Sequence, residues 1–442
     1  MKHVIVSIAI AIIPCLCFSN TKNSKQAKSA NEFLNSIGVN SSISRRGESL
    51  EKTLECVKYL GIRWFRTGYE GNIPVEDLVY IYKNSGTKSC YGLLSGGTDI
   101  NRLIENSRKL AAEGALLAIE GNNEPNNWGV IYNEEQGGRD KSWIPIAKLQ
   151  RDLYQAVKND SVLKDYPVFS ICENGAETDN VGLQFLTIPE GANTIMPAGT
   201  QYADYANVHN YISHPSWDNG ALHDNQSWLS ASPSKECPVD GLYGNYGKTW
   251  LKGYQGYSEE ELKTLPKVTT ETGTTINEGV SEEQQACLFM NLYLSQFKQG
   301  WSYTALYLLR DRSDEDGNQT FGFYNTDYTP RKGAITFHNL TTILNDNGTM
   351  ETPGKLCYNI PEQPETVHDL LLQKSDGSFN LVIWGENYTG GADTINVDFN
   401  KKYNNIKIYN PMIGTDAVQT LSKEKSINLV LTNHPIIIEI KK

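Results

Sequence analysis

Two glutamates stand where a pair of carboxylates could do acid–base chemistry. The stretch Ala118-Ile119-Glu120-Gly121-Asn122-Asn123-Glu124-Pro125-Asn126 leaves an apolar run and ends in amides, a carboxylate and a proline. That is the pattern of a buried strand emptying into a polar cleft. Val268-Thr269-Thr270-Glu271-Thr272-Gly273 repeats it, a short β-branched run delivering a second glutamate. Two carboxylates at the ends of two strands can cleave a glycosidic bond. One protonates the leaving oxygen and the other attacks the anomeric carbon. Asn-Glu-Pro by itself reads as a turn after a strand; the second glutamate and the strand context outweigh that reading. The chain has no Gly-x-Ser-x-Gly elbow, no Walker loop and no His-Glu-x-x-His.

Holding these residues takes a repeating scaffold. From Phe33 the chain alternates short apolar strands with amphipathic helices, the grammar of a parallel α/β fold. Strands are predicted at Phe33–Asn40, Ile62–Thr67, Ser89–Leu94, the Glu124 stretch, Val168–Ile171, Tyr205–Tyr211, the Glu271 stretch and Ser302–Leu308. Helices are predicted between them. Leu50, Leu54, Val57 and Leu60 share one face, Asp99 caps a helix to Ala112, and Ile144–Lys158 follows a long loop. Glu124 then closes the fourth strand and Glu271 the seventh. The expected fold is α/β, a (β/α)8 TIM barrel over residues 32–350, with its site at the carboxyl ends of the strands. An open doubly wound sheet would want Gly-x-Gly-x-x-Gly after the first strand, which this chain lacks. From about Lys355 strands follow one another without helices, separated by turns such as Asp376-Gly377 and Gly390-Gly391. This predicts a C-terminal antiparallel β-sandwich domain over residues 355–442.

Asn123-Glu124-Pro125 on a fourth strand, with Glu271 on a seventh, resembles glycoside hydrolase clan A. Those enzymes are (β/α)8 barrels that hydrolyse with retention, and the resemblance covers roughly residues 33–345. It implies that Glu124 is the acid/base, Glu271 the nucleophile, and Asn123 a ligand of the sugar 2-hydroxyl. It also implies that Arg66, ending the second strand, bonds the nucleophile and keeps it ionised. A structural ion pair is the compatible plain reading of Arg66. His209 and Tyr211 alternate on the sixth strand and so face one side, and a tyrosine bonded to the nucleophile is a clan feature. A satisfied core histidine is the plain reading of His209. Many clan members carry a tryptophan at the end of the eighth strand. Here Trp301 comes too early and Tyr307 is the expected substitute. Asn207-Val208-His209-Asn210-Tyr211 and Thr270-Glu271-Thr272-Gly273 look most like secreted clan A polysaccharidases. The first substrate expectation is the endo-β-1,3-glucanase activity of glycoside hydrolase family 157. Other β-glucans, xylan or mannan stand close behind. A non-catalytic glycan-binding protein on a barrel scaffold is the alternative of a different class.

Composition bounds the partners. The chain has 40 basic and 51 acidic residues, which argues against nucleic acid or an anionic membrane as the main partner. A polysaccharide or oligosaccharide suits it better. Aromatic side chains are the expected sugar platforms: Trp128 in the loop after Glu124, and Trp217, Trp228 and Trp250 in the long segment between the sixth and seventh strands. Lys2 and His3 precede an apolar run from Val4 to Phe18, too short to span a bilayer. Residues 1–19 therefore read as a signal peptide, and the mature protein is expected to be secreted or periplasmic, without a membrane-spanning segment. A lipoprotein leader acylated at Cys15 or Cys17 fits the flanking Pro14 and Leu16 poorly. Residues 20–31 read as a flexible lead-in. Cys56, Cys90, Cys172, Cys237, Cys287 and Cys357 show no zinc-ligand spacing and read as buried thiols, so neither metal nor cofactor is expected. Asp311, Asp314 and Asp316 miss the register of a calcium loop.

Overall fold

The computed structural model describes residues 23–71, 73–125, 127–138, 141, 144–172, 201–212, 222–231, 266–314 and 320–441. Residues 1–19, read as a leader, and Trp217, Trp250, Cys237 and Asp316 lie outside them. Parallel strands β1 (Ile37–Asn40), β2 (Trp64–Thr67), β3 (Lys88–Leu93), β4 (Leu116–Asn122), β5 (Val168–Phe169), β6 (Ala206–Asn207), β7 (Lys267–Thr272) and β8 (Trp301–Leu306) form one sheet. Neighbours pair from β1 to β5 and from β6 to β8, and β8 returns to β1. A parallel bridge from Phe169 to Tyr205 closes the ring between β5 and β6. This is the (β/α)8 barrel that the strand–helix alternation predicts.

Local chemistry explains the elements. The helix Leu50–Leu60 starts at Ser49, whose side chain accepts from Lys52 N, and stops at Gly61 with φ 72°. The helix Glu282–Lys298 opens with a capping box between Ser281 and Gln284. Inside the barrel, Trp64, Cys90, Ala118, Phe169, Val268 and Ala305 fill the end opposite the candidate site. Gly38 makes room for this layer, since a Cβ there would lie 2.1 Å from the Trp64 ring. The first strand is shorter than expected. Phe33 belongs to the helix Ala30–Asn35, capped by Ser29, and β1 begins only at Ile37.

Two further sheets face each other. One holds Ser24–Gln26, Lys355–Asn359, Asp393–Tyr403 and Glu424–Leu431; the other holds Ala417–Leu421, Ile406–Tyr409, Pro435–Ile440, Phe379–Gly385, Val367–Gln373 and Lys28–Ser29. Their facing sides share a core of Leu381, Ile383, Val397, Phe399 and Ile438. The second sheet is buried on its other side too. Leu370, Leu372, Val382, Trp384 and Ile437 join the core that surrounds the barrel. That is why these strands read as nearly continuous apolar runs. The lead-in expectation is corrected here. Ser24–Gln26 pairs antiparallel with Lys355–Asn359, and Lys28–Ser29 pairs parallel with Leu372 and Gln373. Main-chain hydrogen bonds hold this segment, so its polar composition gave no sign of it.

Glu386 ties the second domain to the barrel. Its carboxyl accepts from the Ser227 and Trp228 amides at 2.9 and 3.2 Å and from Trp384 Nε1 at 3.2 Å. Burial pushes this carboxyl up to about 7. The folded chain holds the proton up to that pH, whereas the unfolded chain releases it near 4.5. The stability linked to this group is therefore complete below about pH 4.5 and is lost as pH rises through 7. Glu386→Gln, which cannot ionise, is expected to gain on the wild type by up to about 3 kcal/mol across that window. Urea unfolding at pH 5 and pH 8 checks it; a difference that does not change with pH would refute it.

Candidate active site

The carboxyl ends of β4 and β7 converge on one guanidinium, that of Arg66 on β2. Arg66 is wholly buried, and its nitrogens fan out over several partners. Nε donates to Glu120 Oε2 at 2.9 Å, Nη1 to Glu271 Oε2 at 2.7 Å, and Nη2 to Asn123 Oδ1 at 2.7 Å. The Tyr69 ring covers it at 3.9 Å. A buried cation needs such partners, and a planar fork supplies their geometry.

Period two along the strands explains who faces inward. Trp64 and Arg66 share the inner side of β2, and Ala118 and Glu120 that of β4. Val268 and Thr270 share that of β7, where the register slips between Thr269 and Thr272. Glu271 also reaches Arg66, beside that irregularity. Asn207, His209 and Tyr211 alternate inward from β6 onward.

Glu271 accepts from Arg66 at one oxygen and from the Tyr211 hydroxyl at the other. Burial raises its carboxyl above the ordinary range and Glu124 adds to that; His209, Arg66 and Tyr211 oppose the shift. Glu124 Oε1 lies 2.7 Å from His209 Nδ1, and its Oε2 accepts from Asn127 Nδ2 at 2.9 Å. Burial holds the His209 imidazole down to about 4, so the ring is neutral at ordinary pH. The Glu124 backbone has φ 41°, a region that non-glycine residues avoid. Its amide donates to Cys172 O at 2.9 Å and its carbonyl accepts from Trp128 N at 2.7 Å, which locks the turn.

Both carboxyls open into a cleft of about 640 Å³ that Asn123, Trp128 and Tyr307 also line. Trp128 is half exposed, a ring free to meet a ligand. Asn123 is oriented by Arg66 and by Ser95, to whose Oγ it donates at 3.3 Å. The expected residues Glu124, Glu271, Asn123, Arg66, His209, Tyr211, Trp128 and Tyr307 are thus gathered in one place. Trp228 is the correction. It stacks on His368 with ring centroids 4.1 Å apart and lies near Trp384, at the junction with the second domain. The apolar face of that domain claims it.

Glu124, His209 and Glu271 offer donor atoms within 4.8 Å of one another, as do Glu120, Cys172 and His209. Arg66 already supplies a fixed cation to both groups. Cys56, Cys90, Cys172 and Cys287 are buried free thiols, and Cys357 is a half-buried one. Asp311 is bound to Arg331 and to Gly322 N, and Asp314 to Arg46, so these two carboxylates are spent on ion pairs. Glu120, Thr270 and Asn207 form a layer beneath the pair that site reasoning from sequence did not assign.

No sequence-family model matches the chain, and no curated protein matches it in sequence. Solved structures share its fold. A family 39 glycoside hydrolase from the gut symbiont Bacteroides cellulosilyticus WH2 aligns with TM-score 0.57 at 14% identity, over 93% of this chain and 82% of that one. A GH51 arabinofuranosidase from Xanthomonas axonopodis pv. citri aligns with TM-score 0.55 at 13% identity, over 96% and 98%. A bifunctional glucanase-xylanase from a metagenome library does so with TM-score 0.55 at 9% identity, over 95% and 99%. What these glycoside hydrolases share with the chain is the fold.

Proposed function

We propose that the protein is a retaining glycoside hydrolase that cleaves a β-linked polysaccharide by double displacement. Glu271 is the nucleophile and Glu124 the general acid and base. The spacing of the two carboxyls carries this reading, since an oxygen of each lies within 4.8 Å of the other. Retaining enzymes hold the pair about 5–5.5 Å apart, whereas inverting enzymes leave about 6.5–9.5 Å for a water. The surroundings also differ. Glu271 accepts from a cation and a phenol, which suits an ionised nucleophile, and Glu124 faces a neutral imidazole.

In the first step a Glu271 oxygen attacks the anomeric carbon while the bond to the leaving oxygen breaks. Glu124 gives that oxygen its proton. In the second step Glu124 takes a proton from water, whose oxygen displaces Glu271. Two inversions return the β configuration.

The cleft and the ring of Trp128 suit a polymer chain whose sugars stack on an aromatic face. A β-1,3-glucan is the first substrate to test. Other β-glucans, xylan and mannan follow, and a glucanase-xylanase is among the proteins that share the fold. With residues 1–19 read as a signal peptide, the reaction is expected outside the cytoplasm. Reducing ends released from a panel of these polymers are the measurement. Release from at least one is expected, with the β-anomer first in proton NMR. Binding without release would replace this reading with a non-catalytic glycan-binding protein.

A further inference from the structure

Beneath the catalytic pair lies a buried chain of polar groups that the double displacement does not use. Glu120 is fully buried on β4. Its Oε2 accepts from Arg66 Nε at 2.9 Å, and its Oε1 accepts from Asn207 Nδ2 at 2.8 Å. Thr270 Oγ1 lies 2.5 Å from the same Oε1. His209 Nε2 lies 3.2 Å from Thr270 Oγ1, and His209 Nδ1 lies 2.7 Å from Glu124 Oε1. Among the described residues, the groups facing the imidazole are Glu120 on β4 and Glu124 just after it, Glu271 and Thr270 from β7, Arg66 from β2, and Cys172 after β5.

Counting protons along this chain fixes where each one sits. Two oxygens 2.5 Å apart need a proton between them, and a carboxylate held by a guanidinium and an amide acts as an acceptor. The one hydroxyl proton of Thr270 is therefore given to Glu120. Thr270 Oγ1 is left with lone pairs, which accept from Asn207 Nδ2 at 2.9 Å and face His209 Nε2. For that last contact to be a hydrogen bond, Nε2 must carry the proton of the ring. A neutral imidazole has only one, so Nδ1 presents a lone pair to Glu124. The 2.7 Å contact between Nδ1 and Glu124 Oε1 then requires a proton on Glu124.

We propose that Thr270 and Glu120 are positioning residues that hold His209 in its Nε2–H tautomer, and that this tautomer keeps Glu124 charged with the proton it delivers to the leaving oxygen. The inference rests on the assignment of Glu124 as the general acid. In the opposite tautomer Nδ1–H would donate to Glu124, favour its carboxylate and discharge the acid. The buried chain thus acts on the acid step from beneath the cleft, through two groups that never touch the substrate.

Nitrogen-15 NMR of imidazole-labelled protein tests the wiring without any substrate, the His209 signals being identified by their loss in His209→Asn. The wild type should show the neutral Nε2–H form. Thr270→Val removes the hydroxyl at nearly constant shape and should shift His209 to the Nδ1–H form; Thr270→Ser should restore it. In kinetics, Thr270→Val should move the alkaline limb of the kcat/KM profile down by about one pH unit. Its loss of rate should be at least tenfold larger on a poor leaving group than on a dinitrophenyl glycoside. An Nδ1–H wild-type ring, or a Thr270→Val ring and alkaline limb like those of the wild type, would overturn the proposal. If the wild type hydrolyses no glycoside, the proposed function fails, and the NMR result still decides the wiring. Should Thr270→Val not fold, the wild-type spectrum decides it alone.

Discussion

Glu271→Ala is expected to lower kcat on a natural glycan by about 10⁴–10⁶-fold, the scale seen when a covalent nucleophile is removed. The residue makes two strong contacts and no helix or strand depends on its side chain, so the fold should survive. Removing the carboxylate also opens a small space beside Arg66 and Tyr211. Azide can enter that space and attack the anomeric carbon directly, and the product should be the inverted α-azide. Glu124→Ala should behave differently. Without a proton donor the first step slows in proportion to how much the leaving oxygen needs the proton, so dinitrophenyl glycosides should still form the glycosyl intermediate. Without a base, azide should compete with water for that intermediate and give the β-azide. The two variants thus yield opposite anomers from one reagent. Swapped products would exchange the two assignments, and an α-anomer as the first wild-type product would rule out double displacement.

The carboxylate pair was legible because each glutamate interrupts an apolar or β-branched run at a strand end, and because the strand count put both at the same face of a barrel. Alternation put His209 and Tyr211 on one side of their strand, and the family resemblance supplied the tyrosine's partner. Glu120 was in full view in the Glu124 stretch and was passed over as part of a strand. The signal was there: Glu120 lies two residues from Ala118, an inward position, and an inward carboxylate must have a partner. Thr270 carried no such signal, because a threonine in a β-branched run is what any strand would use. Trp228 failed for another reason. An aromatic residue in a long insertion is apolar area in need of a cover, and sequence does not say whether a sugar or another domain supplies it. The structure gives it His368 and Trp384. The segment at 24–29 was missed because strand addition uses main-chain groups, to which side-chain composition is nearly blind.

Arg66 carries the second large effect, because one guanidinium serves two buried carboxyl groups. Arg66→Met leaves Glu120 and Glu271 without their cation, and removing one partner of a buried pair costs about 3–5 kcal/mol. The chemistry should suffer beyond that. Burial already raises the Glu271 carboxyl, while Arg66 and Tyr211 restrain it. As the proposed nucleophile Glu271 must be ionised to attack, so the acid limb of the wild-type kcat/KM profile should lie above the ordinary glutamate range. Loss of Arg66 removes a restraint, so the limb should move further up and the active window should narrow from its acid side. Tyr211→Phe removes a neutral donor and no charge, so its limb should move the same way by less, with little change in melting temperature. This ordering separates electrostatics from fold, because an unfolded variant has no pH profile to shift. Arg66→Lys adds a third point. It keeps the charge but cannot reach Glu120, Glu271 and Asn123 together, as the fork does at 2.9, 2.7 and 2.7 Å. Its acid limb should fall between those of the wild type and Arg66→Met. Near-wild-type activity and an unmoved acid limb in Arg66→Met would remove Arg66 from the catalytic apparatus and leave it a structural ion pair.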